Sequence, residues 1–383
     1  MTLELEPNKE KLESVRAYWR LSPHQEWIKS TGVPLYRGFY QPDLRKLKLG
    51  WWEERGCNAA FVLLAGQEQV SEARVTEIPP GGTLPPFKFA LDEIVYVLQG
   101  RGSTSIKGKN DVVRSFEWEA RSLFRMPRHH SYQFSNLHGS QPARLLHYNY
   151  LPCAMAAMPD PSYYFNNDRF EADIELGQGL YAEARAVRSV WEDIENGRKR
   201  NARTWVGNFF PDMAIWDKHE RSRDLRDPRL GSVQVHFPDS PLLAHMSVFP
   251  PGTYRKAHRH GPGYAIVIPD GEGYSRMFEQ GKEAVICPWS EASLFVPPDQ
   301  WFHQHFNVGP KPMRYLALHP PAPFARYERI NNPDDEIDYI KEDPNVRRVF
   351  AEELAKRGLK PHMPEQVYTD PNFIWEENKL SRE

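Results

Sequence analysis

The chain has 383 residues, and its 49 Lys and Arg residues nearly balance its 51 Asp and Glu residues, which gives a formal net charge of -2. This balance excludes nucleic-acid binding by bulk electrostatics, because such binding needs a clear excess of positive charge. With 40% hydrophobic and 13% aromatic residues, the chain is too apolar for global disorder, and its length favours two domains.

The composition also indicates a fold class and a compartment. Pro (34) outnumbers Gly (24), which is typical of short strands joined by turns and predicts an all-β fold. The 3 cysteines are scattered and have neither a disulfide framework nor a zinc-binding spacing, so a reducing compartment is expected. The first residues are too charged for a signal peptide, and no long apolar run appears. We therefore expect a cytoplasmic protein with no membrane partner.

The first half of the chain is predicted to contain an arm, a β unit and a linker. Residues 1–50 form the N-terminal arm, in which Asn8 to Arg20 carries apolar residues at helical spacing. Short apolar runs bounded by turn residues then predict a first barrel over 51–160. Residues 161–232 are expected to link two units through extra strands and helices, with a helix-like patch at 182–196.

The second half is predicted to repeat the β pattern and to end in a charged tail. A second set of short apolar runs predicts a barrel over 233–325. In the tail, 326–383, one helix is expected to begin at Asp343 as its cap, with Pro344 in its first turn, and to end at Gly358. We expect this tail to pack on a barrel or on a partner subunit.

An internal repeat relates the two β units. The segments PPGGTLPPFKF (79–89) and PPGTYRKAHRH (250–260) align without a gap at an offset of 171 residues. The same offset continues to the end of the motif region, where Asn136 aligns with Asn307. One register held over so many positions predicts two duplicated β units of one architecture.

Two motifs in the second unit resemble those of the cupin superfamily. Residues 252–271, GTYRKAHRHGPGYAIVIPDG, resemble its first motif, with Tyr264 where Glu is usual. Residues 298–307, PDQWFHQHFN, resemble its second motif, with Gln300 where Gly is usual. The resemblance covers 51–150 and 233–322. It implies a bicupin, in which two small double-stranded β-helix barrels are each closed from two antiparallel sheets, with helices at the periphery.

The spacing of three histidines predicts one metal site, in the second unit only. His258 and His260 lie two residues apart in an extended segment, so both imidazoles point the same way, and a closed barrel turns that face inward. His303, from a later strand, can complete a set of three nitrogen ligands. The aligned residues of the first unit cannot bind a cation together, and Glu93 alone would not hold one. These residues are Phe87, Phe89 and Tyr132.

Further residues are candidates for catalysis or substrate binding. His305 is expected to face inward like His303, as an acid/base group or as support for a ligand. Tyr264 could hydrogen-bond a substrate or simply pack in the core. Arg276 could clamp a substrate carboxylate, although Arg on a strand is more often solvated. The remaining candidates for a substrate pocket are Trp301, Tyr254 and Gln304.

Within the cupins, a three-histidine site without Glu resembles gentisate- and salicylate-type ring-cleaving dioxygenases. Their W-H-x-H-x-N signature is approximated by the segment from Trp301 to Asn307. The resemblance implies an Fe(II) dioxygenase that cleaves a C–C bond of a small hydroxylated aromatic acid or enolisable substrate with O2. The alternatives are a lyase, decarboxylase or isomerase that uses Mn(II), Ni(II) or Zn(II), and a non-catalytic ligand-binding bicupin. A homo-oligomer is expected.

Overall fold

A computed structural model describes residues 21–109, 112–182, 184–192, 199–215, 231–321, 333–371 and 373. These residues are mainly β, as the composition predicts. The predicted helical stretch from Asn8 to Arg20 lies outside the described residues, as do residues 326–332, 372 and 374–383 of the charged tail. Within the described ranges, every helix is too short or too polar to cross a membrane.

The strands of the first half are β1 (Leu35–Tyr36), β2 (Tyr40–Gln41), β3 (Gly50–Trp52), β4 (Cys57–Val62), β5 (Glu72–Ile78), β6 (Phe87–Lys88), β7 (Glu93–Gln99), β8 (Arg101–Lys107), β9 (Val113–Glu119), β10 (Leu123–Met126), β11 (Ser131–Asn136) and β12 (Ala143–Asn149). Those that follow are β13 (Arg185–Glu192), β14 (Lys199–Val206), β15 (Phe209–Phe210), β16 (Gly231–His236), β17 (Leu243–Phe249), β18 (Ala257–His258), β19 (Ala265–Asp270), β20 (Gly273–Phe278), β21 (Val285–Trp289), β22 (Leu294–Phe295), β23 (Phe302–Asn307), β24 (Met313–His319) and β25 (Glu336–Ile337). The described α-helices are α1 (Pro23–Thr31), α2 (Leu151–Ala157) and α3 (Pro344–Ala355).

The strands build two barrels with the same topology. In the first barrel, one sheet contains the strands β5-β12-β7-β10 and the facing sheet contains β6-β11-β8-β9. In the second barrel, β17-β24-β19-β22 and β18-β23-β20-β21 follow the same order. The predicted fold class, all-β with duplicated two-sheet barrels and peripheral helices, is therefore confirmed.

The repeat extends to individual side chains. Gly102 and Gly273 occupy aligned positions, and each lies under the indole ring of an aligned tryptophan. A Cβ atom would meet the ring of Trp118 at 2.3 Å from Gly102, and the ring of Trp289 at 2.2 Å from Gly273. No real Cβ contact is that short, so both barrels need glycine at this position for the tryptophan to pack.

The two barrels share a core and exchange edge strands. Apolar residues of both large sheets, such as Leu146 of β12 and Leu316 of β24, belong to one buried cluster. Strand β2, from the N-terminal arm, pairs with β22 of the second barrel. Strand β15, from the linker, pairs with β10 of the first barrel. The arm and the linker are therefore parts of the sheets as well as connections between them.

The prediction of a helix-like patch at 182–196 is wrong for the residues of this range that the structure describes. Residues 185–192 form β13, which pairs along its full length with β14, and β14 extends the large sheet of the second barrel through β16. In a segment this short, pairing with a neighbouring strand determines whether a strand or a helix forms. The local spacing of apolar residues cannot distinguish the two.

The helix predicted in the charged tail is present as α3. The side chain of Asp343 accepts a hydrogen bond from the Asn345 backbone N–H at 2.9 Å, which caps the first turn. Gly358 follows the helix with a positive φ of 69°. Apolar residues of the helix, including Phe350, pack on the outer face of the second barrel against Tyr274 and Phe306.

Candidate metal centre

Three imidazoles converge inside the second barrel. His258 lies in β18 and pairs directly with His303 of the neighbouring strand β23, and His260 follows two residues after His258. One ligand nitrogen from each ring lies within 4.8 Å of the other two. The structure therefore brings together the three residues that sequence spacing predicts, and His303 is only 1% exposed.

The backbone orients all three rings in the same way. Nδ1–H of His258 donates to the Lys256 carbonyl at 3.3 Å, that of His260 to the Gly261 carbonyl at 2.7 Å, and that of His303 to the Trp301 carbonyl at 3.1 Å. A proton held on Nδ1 leaves the lone pair of the neutral ring on Nε2. A backbone carbonyl that accepts from the other ring nitrogen is usual for histidines that bind metals, and three imidazoles suit Mn(II), Fe(II), Ni(II) or Zn(II).

Tyr264 lies beside this cluster, in the position where the cupin motif has Glu. Its ring packs against that of His260, with 4.1 Å between centroids. On its other side it contacts His319 at 4.5 Å. Burial, followed by the nearby His260, lowers the pKa of His319 to about 3, and its ring is hydrogen bonded to that of His245 at 2.6 Å. Sequence reasoning missed both His245 and His319.

His305 faces the barrel interior, as predicted from its spacing. Its Nδ1 lies 2.8 Å from the hydroxyl of Ser275, which accepts a hydrogen bond from Nε1–H of Trp289 at 3.0 Å. Because an indole N–H can only donate, the Ser275 hydroxyl accepts from Trp289 and has its own proton free to donate to Nδ1 of His305. The ring proton of His305 is then on Nε2. Burial, and after it the charges of Arg255 and His260, lowers the pKa of His305 to about 3.

Arg255, which sequence reasoning missed, adds a buried cation to this interior. It is 5% exposed, and its guanidinium donates to the Tyr315 hydroxyl at 2.9 Å and to the Ser247 hydroxyl at 3.4 Å. It also lies over the ring of Phe249 at 5.2 Å. The repeat contains a signal for it, because the aligned residue of the first barrel is an apolar one, Leu84.

Arg276 and Gln304 do not reach the cluster, which corrects their predicted roles. The two residues pair across β20 and β23, and Nη1 of Arg276 donates to Oε1 of Gln304 at 2.8 Å. Gln304 stands between His303 and His305, and adjacent residues in a strand point to opposite faces. Both side chains therefore lie on the outer face, where Gln304 also donates to Glu342 of the C-terminal segment.

The predicted aromatic pocket residues also lie away from the histidine rings. The Tyr254 hydroxyl donates to Glu342 at 2.6 Å, and its ring stacks on Phe306 at 4.7 Å under the C-terminal segment. Burial raises the pKa of Glu342. The ring of Trp301 packs against Phe39 of the N-terminal arm at 5.6 Å, so its contribution to the site is the carbonyl that orients His303.

The first barrel contains an aromatic core where the second has its histidines. The aligned side chains are at most 2% exposed and pack together, with the rings of Phe87 and Tyr132 at 5.9 Å. These side chains are Phe87, Phe89 and Tyr132. Among the described residues, the histidine trio of the second barrel is the only group of three or more potential ligands close enough to share a metal ion.

Glu93 of the first barrel has another role than metal binding. Its carboxylate pairs with the guanidinium of Arg74 and with Nδ1 of His147, the latter at 2.7 Å. Burial alone would raise its pKa, but the charges of Arg74 and His147 outweigh burial and lower it to about 2. The carboxylate is thus ionised inside a buried ion cluster.

Comparison with known proteins gives a distant structural likeness only. No family model and no curated protein sequence matches the chain. A serine-to-alanine mutant of Bacillus subtilis oxalate decarboxylase is 11% identical with a TM-score of 0.46, over 82% of this chain and 84% of that chain. A deletion mutant of the same enzyme is 12% identical with a TM-score of 0.44, over 74% of this chain and 77% of that one. Similarity at this level does not indicate a reaction for this chain.

Proposed function

We propose that the second barrel binds one divalent metal ion through His258, His260 and His303, and that the protein is a metal-dependent enzyme acting on a small carboxylic acid. The convergence of the three rings, each with Nδ1 donating to a backbone carbonyl, is the observation that carries this proposal. A bound divalent cation would supply Lewis-acid polarisation of a substrate carbonyl or carboxylate.

Arg255 is the residue we assign to substrate recognition. Its guanidinium is buried in the same barrel interior and is close enough to His305 to lower the pKa of that ring. Guanidinium groups pair with carboxylates through two parallel hydrogen bonds, and burial strengthens such a pair. The contacts of Arg255 with Tyr315 and Ser247 fix its direction before a substrate arrives. An anionic substrate is therefore favoured over a neutral one.

His305 is the proton carrier in this proposal, and Tyr264 orients the substrate. The ring centroid of His305 lies 5.5 Å from that of His303, and its contact with Ser275 favours a proton on Nε2. A group in this position can give its proton to a substrate carbon or oxygen held beside the histidine cluster. The phenol of Tyr264, packed on His260, can donate to a substrate oxygen on the other side.

These groups suit non-oxidative C–C bond cleavage, as in a decarboxylase or related lyase. Breaking the bond to a carboxylate releases CO2 and leaves its electron pair on the substrate carbon, which takes the Nε2 proton of His305; a proton from water then returns to the ring. The reaction needs a carboxylate anchor, a Lewis acid and a proton donor, and the interior of the second barrel offers residues for all three roles. Mn(II), Ni(II) or Zn(II) would serve, because no change of oxidation state is required.

One observation favours a second candidate, the Fe(II) dioxygenase. Tyr264 stands where a carboxylate ligand is usual, so the histidine cluster by itself keeps more positions open for two substrate oxygens and O2. The apolar residues deeper in the barrel, including Phe249, Met277 and Phe295, would suit an aromatic ring.

Turnover under controlled oxygen separates the candidates. Protein purified anaerobically and loaded with Mn(II) or Fe(II) is incubated with hydroxybenzoates, keto acids and dicarboxylic acids, while CO2 release and O2 uptake are measured. Metal-dependent CO2 release without O2 supports the lyase, and O2 uptake in proportion to product with Fe(II) supports the dioxygenase. Full metal loading with no conversion by any metal would reject both and favour a ligand-binding protein. His303→Ala is the metal-deficient control, and Tyr132→Phe is the matched control in the first barrel.

A further inference from the structure

The C-terminal segment forms a strand beside the one that carries the first histidine ligand. Strand β25 pairs in antiparallel fashion with β18, and β18 pairs on its other side with β23. The register places His303 opposite His258 in one pair, and Glu336 opposite His258 in the other. Residues directly opposite each other in an antiparallel pair have their side chains on the same face. His303, His258 and Glu336 therefore form a row across three adjacent strands.

A neighbouring ion pair indicates which face this is. The backbone N–H of Arg259 donates to the Asp335 carbonyl at 3.0 Å, and Nε of Arg259 donates to the Asp335 carboxylate at 2.7 Å. The guanidinium of Arg259 also covers the ring of Phe302, which precedes His303 and points away from the interior. Asp335 is thus on the outer face, and Glu336, the next residue, projects to the opposite face with His258.

We propose that Glu336 supplies a fourth, carboxylate ligand to the metal ion of the second barrel. This inference rests on the metal site proposed above. Cβ atoms of directly paired residues lie about 4.5–5.5 Å apart, so a glutamate opposite His258 can reach an ion bound to that ring by rotation of its side chain. Glu336 is half-buried, and among the described residues its carboxylate forms no hydrogen bond or ion pair. The carboxylate lies outside the group of ligand atoms that the three histidines form, so coordination requires this rotation of the side chain.

The first barrel provides an internal comparison. There the strand aligned with β18 is β6, and the segment that covers it places Phe165 in a bridge with Phe89, with their rings stacked at 5.5 Å. The covering segment thus presents an aromatic ring where the barrel has an aromatic core. In the second barrel, the covering segment presents a carboxylate where the barrel has histidines. In each barrel, the chemistry of the covering residue therefore matches that of the residues it covers: aromatic in the first barrel and polar in the second.

A carboxylate ligand would change the chemistry of the site in one direction. It would lower the net charge of the metal site by one and fill a position that a three-histidine site leaves open. Fewer open positions favour binding of the substrate alone over simultaneous binding of substrate and O2. Glu336 as a ligand therefore agrees with the non-oxidative reaction.

Co(II) binding to the full chain tests this ligand without relying on activity. The Co(II) dissociation constant is measured by competition with a chelator, and the d–d absorption, which depends on ligand number and type, is recorded. For Glu336→Gln we expect binding at least tenfold weaker, together with a changed d–d spectrum. Glu365→Gln removes a surface carboxylate of the same segment and is the matched control, with wild-type affinity and spectrum expected.

The outcomes distinguish this inference from the proposed function. Wild-type affinity and spectrum in Glu336→Gln would overturn the ligand role of Glu336, even if its unfolding midpoint fell. If that variant does not fold, Glu336→Asp, which keeps the charge but shortens the reach, takes its place, and an unchanged spectrum again overturns the inference. Co(II) bound normally by His303→Ala would reject the metal site itself. Loss of Co(II) from His303→Ala with an unaffected Glu336 variant would reject only the fourth ligand.

Discussion

Replacement of Phe87 by alanine tests the different roles of the two barrels. Phe87 is 1% exposed and stands at the position aligned with His258. Its ring contacts Trp52 at 6.1 Å and Tyr132 at 5.9 Å between centroids, and it lies 4.7 Å from the guanidinium carbon of Arg55. The substitution removes buried apolar surface, opens a cavity and ends the cation–π contact. We expect a loss of about 3–5 kcal/mol of unfolding free energy, as for other buried phenylalanines.

The assay combines denaturation with metal analysis. Urea unfolding followed by far-UV circular dichroism gives the loss of stability, and mass spectrometry of the folded fraction gives the metal content. Because Phe87 is in the barrel that lacks the cluster of three histidines, we expect the metal content to equal that of the wild type. Leu137→Ala, at a residue 46% exposed, is the control and should change stability by less than about 0.5 kcal/mol. Loss of metal from folded Phe87→Ala would refute the division of roles.

Three further predictions follow from particular contacts. Arg255→Met should raise KM for the carboxylate substrate at least tenfold at unchanged metal content, whereas Arg276→Met, on the outer face, should not; steady-state kinetics decide this. The pKa of Glu93 is about 2 in the folded protein and 4.5 in its ordinary state. Its contribution to the free energy of unfolding is therefore complete above pH 4.5 and is lost as the pH falls to 2. Over this pH range, the free energy of unfolding measured by urea denaturation should fall by about 3 kcal/mol more in the wild type than in Glu93→Gln. Asp343→Ala should lower the unfolding free energy by about 1 kcal/mol in the same assay, by removing the cap of α3.

The sequence predicts the duplicated barrels and the convergence of three histidines because both depend on local rules. The offset of 171 residues is visible without any structure, and a spacing of two in an extended segment places His258 and His260 on one face. The same rule, applied to Gln304 between His303 and His305, predicts its outward direction. The assignment of Gln304 to the substrate pocket was therefore wrong for a reason that the sequence already contained.

Other parts of the site depend on pairings between distant segments. Glu336 lies opposite His258 only because the C-terminal segment forms β25, and nothing near residue 336 in the sequence indicates that partner. The position of Tyr254 under the C-terminal segment has the same origin. Arg255 is different, because its alignment with Leu84 shows a charged residue in the second repeat where the first has an apolar one.

Metal stoichiometry after anaerobic purification tests the central claim most directly. We expect one divalent ion per chain in the wild type and in Tyr132→Phe, and none in His258→Ala or His303→Ala at wild-type secondary structure content. Two ions per chain, or full occupancy in either histidine variant, would contradict a single metal site on His258, His260 and His303.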